Sequence, residues 1–113
     1  MFNKKNRVTK TKEIENIFKN GKSFYNDILG FKVLKNEIKN NRFCIIISAK
    51  VSKKAVVRNK IKRQIRAIII GEKNILRNDF DIVIIVNKNI VGRDFSEIKN
   101  SLNSAFKKLN LYA

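Results

Sequence analysis

Asp79 and Asp81 flank Phe80 and are the only close pair of aspartates in this 113-residue chain. Metal-dependent hydrolysis needs several carboxylates converging on one cation. This pair stands at the head of a β-branched run and reads instead as charge at a strand entry. Histidine is absent, which removes the commonest general base and metal ligand and rules out a Cys/His zinc site. Cys44 is the sole cysteine, so no intramolecular disulfide can form. It lies within Phe43-Cys44-Ile45-Ile46-Ile47 and reads as a buried structural thiol rather than a nucleophile. No residue set for acid–base, nucleophilic or metal chemistry remains. What remains is charge: 26 Lys plus Arg stand against 9 Asp plus Glu, a formal net charge of +17. Self-repulsion on that scale strains a compact fold, and a bound polyanion is the usual compensation.

The placement of the charge says more than its total. Lys, Ile and Asn are used heavily throughout, so some of the excess is explained by composition alone. Between Ile38 and Gly71, however, there is no acidic residue, while Lys39, Arg42, Lys50, Lys53, Lys54, Arg58, Lys60, Lys62, Arg63 and Arg66 all fall in that window. Arg58, Lys62 and Arg66 recur at helical spacing as one basic stripe. Like charges at that spacing cost roughly 0.2–0.5 kcal/mol per pair, and Lys53 and Lys54 near a helix N-terminus oppose the macrodipole. A solvated face would intersperse Glu. Arginine is also concentrated here in a lysine-rich chain, and its planar fork suits phosphate.

The elements that must position these residues follow from periodicity. Val8 to Asn20 is predicted as a short helix with Ile14, Ile17 and Phe18 on one face, Thr9 or Thr11 as its cap and Gly21 beyond its end. Strands are predicted at Ile28 to Leu34 and Arg42 to Ser48, joined as a hairpin by the polar turn Asn36 to Asn41. Phe24 and Tyr25 are left without a role. Lys53 to Ile70 is the longest helix, with Val57, Ile61, Ile65, Ile68 and Ile69 as its buried stripe and Gly71 at its end. Phe80 to Val86 reads as a buried strand. A last helix covers Phe95 to Leu109, opened by a capping box of Asp94 and Glu97, with Ile98, Leu102, Ala105, Phe106 and Leu109 inward and Phe95 also assigned to the core. The order α-β-β-α-β-α predicts an α+β fold, a two-layer α/β sandwich forming a single RNA-binding domain over residues 1–113. No segment reaches the roughly 18 apolar residues of a membrane helix, and no apolar run follows Met1 to Arg7 as in a signal peptide. A cytoplasmic protein is expected.

The string Ala55-Val56-Val57-Arg58-Asn59-Lys60-Ile61-Lys62-Arg63-Gln64-Ile65-Arg66 resembles the signature helix of the bacterial ribonuclease P protein component. That helix carries an Arg-Asn-Arg core followed by x-Lys-Arg-x-x-Arg. Arg7-Val8 and Ile17-Phe18-Lys19-Asn20-Gly21 resemble the family's opening helix, and the element order and length agree over nearly the whole chain.

The resemblance implies a subunit of an endoribonuclease whose catalyst is a large RNA. That RNA removes the 5′ leader of precursor tRNA with magnesium, Mg2+, bound mainly by the RNA. The protein subunit binds the catalytic RNA and the leader, with no membrane and no obligatory protein partner. A left-handed βαβ crossover is implied as well. By position, Arg58, Asn59, Lys60, Lys62, Arg63 and Arg66 would face the catalytic RNA, extended by Lys50, Lys53 and Lys54. A leader-binding cleft between the first helix and the sheet would involve Ile14, Phe18, Phe31 and Lys32. Phe18 matches one of the family's aromatic positions. Ile14 replaces a usual Phe and offers apolar contact without a π face. Lys32 replaces a frequent Tyr, so either Phe31 substitutes through a small shift or a charge contact replaces stacking. Lys60 replaces the third motif arginine, and Lys53 a glycine before the helix.

Three other readings compete. A ribosomal or general RNA-binding structural protein would explain charge and size but not the Arg58-to-Arg66 string. A nuclease acting alone lacks the carboxylates. A helix-turn-helix protein would need a short helix and tight turn before the basic helix, where a strand is predicted.

Overall fold

The computed structural model describes residues 7–72 and 74–113; Met1 to Asn6, read above for targeting, lie outside them. The elements are α1 (Thr11–Asn20), β1 (Lys22–Tyr25), β2 (Leu29–Lys35), β3 (Arg42–Ile46), α2 (Ala55–Glu72), β4 (Phe80–Val86), a 3-10 turn at Lys88–Ile90 and α3 (Phe95–Lys108). The predicted α/β sandwich is present, with one strand more than expected. No helix among the described residues is long and apolar enough to cross a membrane.

The strand order is β1-β2-β4-β3, which overturns the expected β2–β3 hairpin. The reason lies in β4. Ile82, Ile84 and Val86 are buried on one face and Val83 on the other, and such a strand belongs in the middle of a sheet. It pairs antiparallel with β2 and parallel with β3. The Asn36–Asn41 turn therefore carries the chain across the start of β4. There the Asn36 backbone N–H donates to the Asp79 carbonyl at 2.7 Å.

Leu29, Phe31 and Val33 of β2, Phe43 of β3 and the three inward residues of β4 form the main core with Ile61, Ile65, Ile68 and Ile69 of α2 and Ile98, Leu102, Ala105 and Phe106 of α3. α1 lies on the opposite face, where Val8 and Ile17 bury Val83 beside Ile14, Leu34, Cys44, Ile46 and Ile85. The capping box of α3 is formed as expected. The Asp94 carboxyl is held below its ordinary range by the hydrogen bond it accepts from the Glu97 backbone N–H.

Several local expectations are corrected. α1 begins behind Lys10, with no side-chain cap from either threonine. Gly21 has φ −79°, so it is not a left-handed cap. A Cβ there would sit 2.5 Å from the Ile17 carbonyl oxygen and 2.8 Å from that of Val33, and it is this close approach that calls for glycine. α2 runs through Gly71 to Glu72, because Ile68 and Ile69 still anchor its last turns. Phe95, assigned to the core, is 45% exposed at the first position of α3.

Candidate nucleic-acid interface

α2 passes near β3, the last strand in the sheet order, at the level of Lys62 and Arg66. Its buried stripe is continuous from Ile61 to Ile69. One hundred degrees per residue then carries Asn59 and Arg63 to the outward side, with Lys60 also exposed. Arg58, Lys62 and Arg66 are half-buried, the latter two on the shoulder beside β3. Arg66 shares a small hollow with Arg7, Phe43 and Cys44. The Lys62 ammonium lies near enough to Cys44 to oppose the upward shift that burial imposes on its thiol. Cys44 is thus half-buried and free of any disulfide, and burial keeps it protonated as a structural thiol would be. Arg58 is partly committed: its Nη1 donates to the Ser52 carbonyl at 2.7 Å. It therefore pins the loop before α2, where Lys50, Lys53 and Lys54 stand exposed. Arg42, counted in the basic window, is committed within the fold. It holds Asp81 through two hydrogen bonds at 2.9 and 2.7 Å and reaches Glu13 of α1 at 2.8 Å. The Asp81 hydrogen bond, with help from Glu13, raises the Arg42 pKa further above its already high value.

The sheet face under α1 is read off the register. Tyr25, Gly30, Ile85 and Ile46 form one row across all four strands, and Ser23, Lys32, Val83 and Cys44 form the next. α1 covers the second row and what lies below it. The first row, with Ile46 and Ile85 only half-buried, is open surface beside Ile14 and Phe18 of α1, in the place expected for the cleft. Phe18 is 40% exposed and Tyr25 59% exposed. Between them stands Lys32, its Nζ 6.0 Å from the Phe18 ring centre and 5.6 Å from that of Tyr25. It also donates to the Ser23 hydroxyl.

Phe31 takes no part, which corrects its assignment to the cleft. It is 0% exposed, and its ring meets Phe24 at 6.4 Å and Phe106 at 6.2 Å between centres. Strand alternation sends it to the helical core and its neighbour Lys32 to the cleft. Ile14, Phe18 and Lys32 are therefore brought together, while the second cleft aromatic is Tyr25, which the sequence left without a role. Its position depends on Gly30. A Cβ on Gly30 would lie 2.6 Å from the Tyr25 ring, so the ring rests on bare backbone. A glycine inside a strand marks such an approach and was the signal available.

The apolar row thus runs from Ile46 on β3, the strand nearest the basic shoulder of α2, to Tyr25 on β1, where the exposed rings stand. Cations suit phosphates, and exposed rings beside them suit unpaired bases. A family model described as Ribonuclease P matches residues 2–110. A ribonuclease P protein component from Syntrophomonas wolfei is 34% identical over 113 residues, covering 100% of this chain and 94% of its own. One from Clostridium kluyveri is 37% identical over 108 residues, covering 94% and 96%. The solved structure of the Staphylococcus aureus RNase P protein superposes with a TM-score of 0.88 at 30% identity, covering 96% of this chain and 98% of that one. For the RNase P protein from Thermotoga maritima the TM-score is 0.82 at 31% identity, covering 90% and 96%.

Proposed function

This chain belongs to the ribonuclease P protein family, and from that premise we propose that it is the cytoplasmic protein subunit of a ribonuclease P that matures the 5′ ends of tRNAs. In this reading the catalytic RNA cuts the leader, and the protein increases affinity for the precursor. The observation that carries the reading is the row from Ile46 to Tyr25, which runs across the sheet from the cations beside β3 to the exposed rings of Phe18 and Tyr25 over β2 and β1.

Each residue then has a task. Asn59, Lys60 and Arg63 face outward from α2 and meet the catalytic RNA. Lys and Arg neutralise phosphates, and the Asn59 amide hydrogen-bonds a base, sugar or backbone group. Lys50, Lys53 and Lys54 widen that contact. Lys62 and Arg66 stand where the RNA surface gives way to the cleft. Phe18 and Tyr25 stack on leader bases, and Lys32 neutralises a phosphate between them. Ile14 adds apolar contact. Among the described residues no three Asp, Glu, Cys or His side chains converge, so no step is assigned to a metal on this chain. Magnesium belongs, in the proposal, with the phosphates of the catalytic RNA.

Arg63→Ala tests the RNA face without disturbing the fold, since Arg63 is exposed. Binding to the catalytic RNA is expected to weaken across the whole salt range. The slope of log K against log salt should become shallower by about 0.9 for each duplex phosphate that the variant no longer neutralises. Filter binding at several salt concentrations reads both. An unchanged affinity and slope in Arg63→Ala and Lys60→Ala alike would remove α2 from the interface. Arg58→Ala is a poorer probe, because it also frees the loop before α2.

A further inference from the structure

Positive charge and apolar surface also meet at the opposite end of the strands from the cleft. A cavity of about 390 Å³ lies where β1 begins, β2 ends and β4 begins, between the C-terminal ends of α1 and α3. That volume falls within the range of small-ligand pockets. Its floor includes Leu34, Phe80 and Leu109, each only half-buried. Its rim carries Lys22, Lys35 and Arg77, and none of its lining residues is acidic.

The three cations have different freedom. Arg77 is held in place because its Nε donates to the Asn110 carbonyl at 3.0 Å, which leaves the far end of its guanidinium for a ligand. Lys35 is 3.8 Å from Asp79 with 73% of its side chain exposed, and an exposed pair of this kind is worth under about 1 kcal/mol. Lys22 is exposed. The helix C-termini on either side offset part of this charge but do not account for the uncovered apolar floor. A free inorganic anion would use the rim and leave the floor wet. A nucleotide uses both, with its base on Phe80 and Leu109 and its phosphate on the rim.

Its place relative to the cleft says which nucleotide. Lys22 and Tyr25 are the two ends of β1, about 10 Å apart at the usual strand rise, with their side chains on opposite faces of the sheet. A single strand that crosses the row from Ile46 to Tyr25 leaves over the outer edge of β1 and reaches the cavity by passing round that edge. We infer that the cavity is a second single-strand subsite, which takes a leader nucleotide lying farther from the cleavage point than those in the cleft. This rests on the leader-binding reading given above.

The test uses the full chain and a Lys22→Ala, Lys35→Ala double variant, each assembled with a bacterial ribonuclease P RNA. Two precursor tRNAs are compared, one with a leader that ends in the cleft and one roughly four nucleotides longer. The wild-type assembly should bind the longer leader at least about fivefold more tightly, the lower end for one stacked base. The double variant should lose that gain while binding the short leader as the wild type does. The inference is overturned if the wild type shows no gain with length, if the variant keeps the gain, or if the variant weakens both leaders equally. Failure of the leader reading itself would show separately, as equal wild-type affinity for the short-leader precursor and mature tRNA.

Discussion

Asp81→Ala is expected to lower the unfolding free energy by about 3 kcal/mol, the lower end for removing one partner of a buried ion pair. Asp81 and Arg42 have side chains only 8% and 15% exposed. Without the carboxylate, Arg42 keeps a buried charge with Glu13 as its remaining acid, and the Asn36 amide loses its 2.8 Å acceptor. Glu13 is what holds the cost at the low end. Against a total stability of roughly 0.05–0.15 kcal/mol per residue, the loss is a large share, and the melting temperature should fall by roughly 10 °C or more. Glu13→Ala should cost about 1 kcal/mol or less, since its side chain is 35% exposed. Thermal and urea unfolding read both. A loss under about 1 kcal/mol for Asp81→Ala would show that the pair contributes no more than an exposed one.

The second large effect concerns the cleft. Phe18→Ala and Tyr25→Ala are each expected to weaken precursor-tRNA binding by about 5- to 150-fold, corresponding to roughly 1–3 kcal/mol per stacked base. Mature tRNA, which has no leader, should bind as before. Tyr25 is the cleaner probe because more of its ring is exposed, so its removal costs little packing. Gly30→Ala should mimic Tyr25→Ala, since the new methyl occupies the place of the ring. Equal loss for precursor and mature tRNA in both aromatic variants would make these rings packing residues only.

Local features were legible in the sequence, and distant ones stayed hidden. The α2 stripe, the β-branched run of β4 and the Asp94–Glu97 box are written in adjacent residues, and all three are found. Strand order is not local. Arg42 and Asp81 lie 39 residues apart, and nothing in either neighbourhood announces that one neutralises the other. β1 is four residues with a single half-buried position, too short for a periodic signal. Its Tyr25 becomes a cleft residue only because Gly30 lies opposite it. The Phe31 assignment failed for a reason that alternation supplies: Leu29, Phe31 and Val33 share a face, so Lys32 must take the other. Of the two alternatives at that position, a shift of Phe31 into the cleft is the one that the burial of its ring excludes.

Precursor-tRNA cleavage by a bacterial ribonuclease P RNA at low magnesium, with and without this protein, decides whether it is the protein subunit. Little cleavage by the RNA alone and restored cleavage at the mature 5′ end once the protein is added are the expected results. Tight, salt-sensitive RNA binding with no gain in cleavage would contradict that assignment, as would cleavage by the protein in the absence of the RNA.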